Sequence, residues 1–131
     1  MGTRSLTVFK DGKEEICVMY RQFDGYPEGH GKELAELLAG MKMVNGFGGE
    51  PKKQANGMPC LVAQVIAHFK KGVGGFYIHP PKTRDCCEEY VYFVSGKEGE
   101  EPTIKCKESG SSHYILNGKA STVLKKINKG V

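Results

Sequence analysis

Between Tyr20 and Gly31 the chain places Arg21, Asp24, Glu28 and His30 among three rings, Tyr20, Phe23 and Tyr26, and three glycines, Gly25, Gly29 and Gly31. Such a set is suited to two kinds of chemistry. An arginine, a histidine and Lys32 beside the amino end of a helix would bind an anion, with the rings free to stack on a base. Alternatively, His30 flanked by Asp24 and Glu28 would move protons as an acid–base group, or Cys86 would act as a nucleophile beside a histidine. A metal held by Asp24, Glu28 and His30 is the weakest reading, because ligands so close together on a proline-containing loop need a special geometry. The glycine spacing also misses the P-loop pattern, and Glu33 stands where Ser or Thr would bind magnesium. Glu28, Glu33 and Glu36 oppose an anion at this corner, so a structural turn held by an Arg21–Asp24 pair competes with the binding reading. The expected ligand-binding residues are Arg4, Tyr20, Arg21, Tyr26 and His30, with Arg84 and the loop at Asn45 to Gly49 as second contributors. No catalytic residue, metal or cofactor is assigned.

The surrounding pattern supplies the elements that position this stretch. Ser5 to Phe9 and Glu15 to Tyr20 read as two strands joined across Asp11-Gly12, a hairpin signal. Leu34, Leu37, Leu38 and Met41 recur at helical spacing, and Gly40 is placed to end that helix. Residues 45 to 57 lack periodicity and read as a loop. A second helix is predicted from near Pro59 to Lys71, with Leu61, Val62, Val65, Ile66 and Phe69 as its buried stripe and His68 partly buried beside it. Strands follow at Phe76 to His79, Glu89 to Val94 and Thr103 to Lys107. Beyond His113 to Leu116, Asn117-Gly118 suggests a last hairpin, although 121 to 128 equally suits a helical turn. The expected fold is α+β: one domain over residues 1–131, a mostly antiparallel sheet of about five or six strands, and two helices packed on one face.

Composition narrows the setting. A chain of 131 residues is large enough for one core, and its 39% hydrophobic and 26% charged residues are ordinary for a globular protein. No apolar run reaches membrane-span length and the start lacks a secretory core, so a cytoplasmic protein is expected. Leu6 breaks the myristoylation pattern. The net charge of +4 is modest, with an acid-free lysine set only at Lys119, Lys125, Lys126 and Lys129, and no RNA-binding strand motif is present. Nucleic acid is therefore not the expected ligand. The five cysteines form no C-x-x-C pair and read as reduced thiols, several of them buried.

Thr3-Arg4-Ser5-Leu6, the stretch Tyr20 to Pro27 with Gly29-His30-Gly31, Val44-Asn45-Gly46 and Glu88 to Tyr92 together resemble a family of small uncharacterised phage and bacterial proteins. The resemblance covers nearly the whole chain, and the family has no assigned activity. It implies a phage or mobile-element setting and a host-cell cytoplasm. Small phage proteins of this size include sponges that sequester cyclic nucleotide or cyclic ADP-ribose signals of host defence. The leading expectation is thus a non-catalytic binding protein for a small anionic or nucleotide ligand, with a homo-oligomer building the pocket between copies. A small hydrolase and a protein-interaction module are the alternatives.

Overall fold

The computed structural model describes residues 2–46 and 53–130. Strand β1 (Ser5–Asp11) turns through Gly12, whose positive φ of 66° suits the left-handed region, into β2 (Glu14–Arg21). One turn of π-helix, Pro27–Gly31, runs directly into α1 (Lys32–Leu38), and Gly40, with φ of 79°, follows the helix end. Short strand β3 (Lys42–Val44) pairs in parallel with β4 (Gln54–Asn56), a strand that falls inside the stretch 45 to 57 expected to be a loop. Then come α2 (Gly57–Phe69), β5 (Phe76–His79), β6 (Tyr90–Ser95), β7 (Thr103–Glu108), β8 (Tyr114–Lys119) and α3 (Ala120–Asn128). The main sheet has the order β5-β2-β1-β6-β7-β8, antiparallel except where β1 and β6 run in parallel.

Period-two alternation divides the side chains between the two faces of this sheet. Phe9, Met19, Tyr92, Val94, Ile104, Cys106 and Leu116 join Leu34, Leu38, Leu61, Val65, Val123 and Ile127 in one helix-covered core. On the opposite face a smaller cluster of Leu6, Val8, Val18 and Val91 is also fully or almost fully buried. No helix covers it. The connection from β5 at the sheet edge back to β6 crosses this face, and its Cys86 packs on the cluster.

The α+β class and the mostly antiparallel sheet agree with the expectation; the helix count does not. Three α-helices form among the described residues, and Asn117-Gly118 lies inside β8 rather than at a turn. The start of α3 is held from outside its own segment: the Glu101 carboxylate accepts bonds from the Ser121 amide at 2.7 Å and its hydroxyl at 2.8 Å. A cap supplied twenty residues upstream has no local signature. Helix α2 ends at Phe69, short of Lys71, and His68 is exposed, not partly buried. All five cysteines are free, but only Cys106 is buried rather than the several expected; Cys17, Cys60 and Cys86 are half-buried and Cys87 is exposed. No helix among the described residues is long and apolar enough to cross a membrane.

Candidate functional site

The Tyr20–Gly31 stretch closes on itself. Asp24, at φ of 60°, starts a tight bend that brings the His30 amide to the Asp24 carbonyl at 2.7 Å, while the Gly29 amide reaches the Tyr26 carbonyl at 2.9 Å. Those bonds satisfy amides that an anion would need. Gly25 is required here, because a Cβ would stand 2.7 Å from that of Ser5 and 2.9 Å from the Thr3 carbonyl.

His30 is fully buried between the sheet and α2, its ring 4.9 Å from Tyr92 and 5.1 Å from Phe69. Arg21 NH1 lies 3.1 Å from Nδ1, and an arginine only donates, so Nδ1 is the acceptor. The proton of the neutral ring then sits on Nε2 and is donated to Thr7 Oγ1 at 2.7 Å. Burial, with the Arg21 charge adding to it, lowers the His30 pKa from the ordinary 6.5 to about 3. Arg21 also donates from Nε to the Phe23 carbonyl at 2.6 Å and pairs through NH2 with Glu33 at 2.9 Å. Its guanidinium lies 5.1 Å from the Phe76 ring centroid. The predicted Arg21–Asp24 pair is not formed; Asp24 instead accepts from the Tyr26 hydroxyl at 3.4 Å. Tyr92 donates its hydroxyl to the Gly25 carbonyl at 2.8 Å, and burial holds this phenol far above its usual range.

The other predicted ligand residues are dispersed. Tyr20 is half-buried against Tyr77 and His79, and Tyr26 is exposed at the corner. The Arg4 carbonyl accepts from the Glu89 amide at 2.8 Å, tying the crossover to the start of β1. Asn45 is exposed and borders a separate depression with Asp11, Met58 and Glu98. Residues 47–49 of its loop lie outside the described residues. Arg84 pairs with Glu15 on the helix-free face. The structure brings together Arg21 and His30 and separates both from Asn45 and Arg84. Among the described residues no group of three or more His, Cys, Asp or Glu side chains is placed to hold a metal ion.

A different set converges on the helix-free face. Lys10, Gly12, Phe93, Ser95, Lys105 and Tyr114 line a depression of about 190 Å³. The register explains it: Val8 lies beside Phe93, Phe93 opposite Lys105, and Lys105 opposite Asn117, so side chains from β1, β6, β7 and β8 share one face. Tyr114, 44% exposed, meets Phe93 edge-on with centroids 6.1 Å apart. Lys105 Nζ lies 5.3 Å from the Tyr114 centroid, and the Arg84 guanidinium 5.8 Å from that of Phe93. Among the described residues neither Lys10 nor Lys105 has a carboxylate partner within 4.0 Å. Alternation in Thr103 to Lys107 puts Ile104 and Cys106 inward and the lysines outward, which is the sequence signal for this face. The scattering of its members over four strands hides the convergence. No protein-family model, curated protein or solved structure matches this chain.

Proposed function

We propose that the protein binds a small anionic ligand carrying a flat ring, of the nucleotide class, on the helix-free face of its sheet, and releases it unchanged. The observation that carries this reading is the placement of Lys10 and Lys105 on the strands at either side of Phe93, with Tyr114 on the strand beyond Lys105. Two cations that form no ion pair within 4.0 Å among the described residues attract phosphate, Lys105 more freely than Lys10, which faces Glu15 across the hairpin, and a half-exposed ring offers a stacking surface worth about 1 kcal/mol. The site is shallow and solvated, so its electrostatic part weakens with salt. In the phage setting implied by the resemblance, such a protein sequesters a nucleotide signal of host defence.

Titration calorimetry with adenosine diphosphate and with pyrophosphate tests the reading. Both ligands are expected to bind at low salt, the nucleotide more tightly, and Lys105→Ala should weaken each by roughly five- to tenfold. Chromatography of the recovered nucleotide should show it unaltered. Absence of binding by either compound at low salt would overturn the assignment.

Self-association belongs to the same reading. Edge strand β5 presents Tyr77 and Ile78, each about half exposed, beside an apolar groove of about 310 Å³ lined by Met19, Ile66 and Phe76. Sedimentation of the wild-type chain and of Ile78→Lys should show an oligomer that the charge dissolves. A wild-type monomer at high concentration excludes it.

A further inference from the structure

The crossover Pro80–Glu89 is backbone under strain, held within itself by Glu88, which accepts from the Cys86 amide at 2.7 Å, and to the sheet by Glu15. Three of its residues other than glycine take positive φ: Lys82 at 68°, Asp85 at 69° and Cys87 at 60°. Such conformations persist only where neighbouring contacts over-determine them. The contacts of Lys82 and Arg84 converge on Glu15 of β2. Its Oε1 accepts from the Lys82 amide at 2.6 Å and from Arg84 NH1 at 3.4 Å, and its Oε2 pairs with Arg84 NH2 at 2.8 Å. Across the hairpin, Glu15 stands in register with Lys10, a member of the open-face site. Burial alone would raise the Glu15 carboxyl; the Arg84 and Lys82 bonds and the Lys10 charge outweigh it and hold the group low.

Arg84 therefore sits between an internal carboxylate and the ligand face. Its side chain keeps 37% exposure while Glu15 keeps 13%, and its guanidinium already stands 5.8 Å from the Phe93 ring that lines the depression. Lys10 and Lys105 belong to strands separated by β6, so their backbones are on the order of 10 Å apart. Such a span suits a ligand with two or more anionic groups better than a single phosphate.

Resting on the open-face reading, we infer that Arg84 is a third cation of that site, kept in reserve by Glu15, and that a diphosphate-class ligand over Phe93 draws it away. Glu15 is then an internal competitor of the ligand, and the Pro80–Glu89 crossover shifts when it is displaced. The preference for diphosphate over monophosphate comes from recruiting this third cation.

The test is a double-mutant cycle read by calorimetry with adenosine diphosphate and adenosine monophosphate. Glu15→Gln should raise diphosphate affinity about fivefold, Arg84→Ala should remove most of the preference for diphosphate over monophosphate, and Glu15→Gln should have no effect in the Arg84→Ala background. Loss of a negative charge acting at long range would instead persist in that background, which overturns the inference. So would an unchanged or weakened affinity in Glu15→Gln. If Arg84→Ala fails to fold, judged by its thermal transition, Arg84→Gln replaces it, because its amide still donates a hydrogen bond to Glu15 while the positive charge is removed. Binding of neither nucleotide to the wild type removes the open-face reading itself, whereas wild-type binding with a null cycle removes only the role of Arg84.

Discussion

Two regions of this molecule carry the ingredients of an anion site, and they use them in opposite ways. At the Tyr20–Gly31 corner, Arg21 and His30 spend their donors and acceptors on each other and on Thr7, Phe23 and Glu33. On the helix-free face, Lys10, Lys105 and Tyr114 remain half-buried or exposed, and the lysines have no carboxylate partner among the described residues. The difference is one of satisfaction: a buried polar group must find partners within the chain, whereas a half-exposed one keeps its capacity for a ligand.

The largest effect that would break this comparison is at the corner. Arg21→Ala removes the donor to His30 Nδ1 and the partner of Glu33 and should destabilise the fold by about 3 kcal/mol, with part of the ion-pair contribution discounted for the exposure of Glu33. Urea denaturation at pH 7 measures it. A variant as stable as the wild type would mean that the corner is not structural.

Acid gives the next effect, and its sign follows from the lowered pKa of His30. Between pH 6.5 and about 3 the unfolded chain binds a proton that the folded chain refuses, so this contribution is complete above 6.5 and is lost as pH falls. Moving from pH 7 to pH 5 should cost about 2 kcal/mol through this group. His30→Gln should flatten that part of the profile, even though the variant is less stable at pH 7. An equally steep profile in the variant assigns the acid sensitivity elsewhere.

Gly25→Ala should cost about 1 to 3 kcal/mol, because the new methyl meets Ser5 and the Thr3 carbonyl and the corner must shift. Thermal unfolding, followed by a structure of the variant, checks both the cost and the displacement. The smallest expected change in stability is on the open face, where Lys105→Ala and Tyr114→Ala should each stay within roughly 0.5 kcal/mol of wild type while nucleotide affinity falls. A large loss of stability there would make the two regions alike.

Much of the fold was legible because hydrophobic periodicity is local. The β1–β2 hairpin, the apolar stripe of α2 and strands β6 and β7 could all be read from alternation or helical spacing. What escaped was non-local. Residues 121 to 128 suited a helical turn as well as a hairpin, and the choice of helix α3 rests on the Glu101 carboxylate; the parallel β1–β6 pairing depends on a crossover whose path no short motif encodes. The corner was visible as a concentration of functional groups, but its burial was not, because residue types do not say whether His30 faces water or Thr7. Conversely, Phe93 and Tyr114 read as ordinary strand aromatics until the register set them beside Lys105.

If the sheet face binds and the corner holds the fold, backbone amide resonances of the wild-type protein followed as adenosine diphosphate is added will separate the two regions. Progressive shifts are expected at Lys10, Phe93, Ser95, Lys105 and Tyr114, with Asp24 to Gly31 unmoved. Shifts centred on Arg21 and His30, with the sheet face silent, would contradict that division.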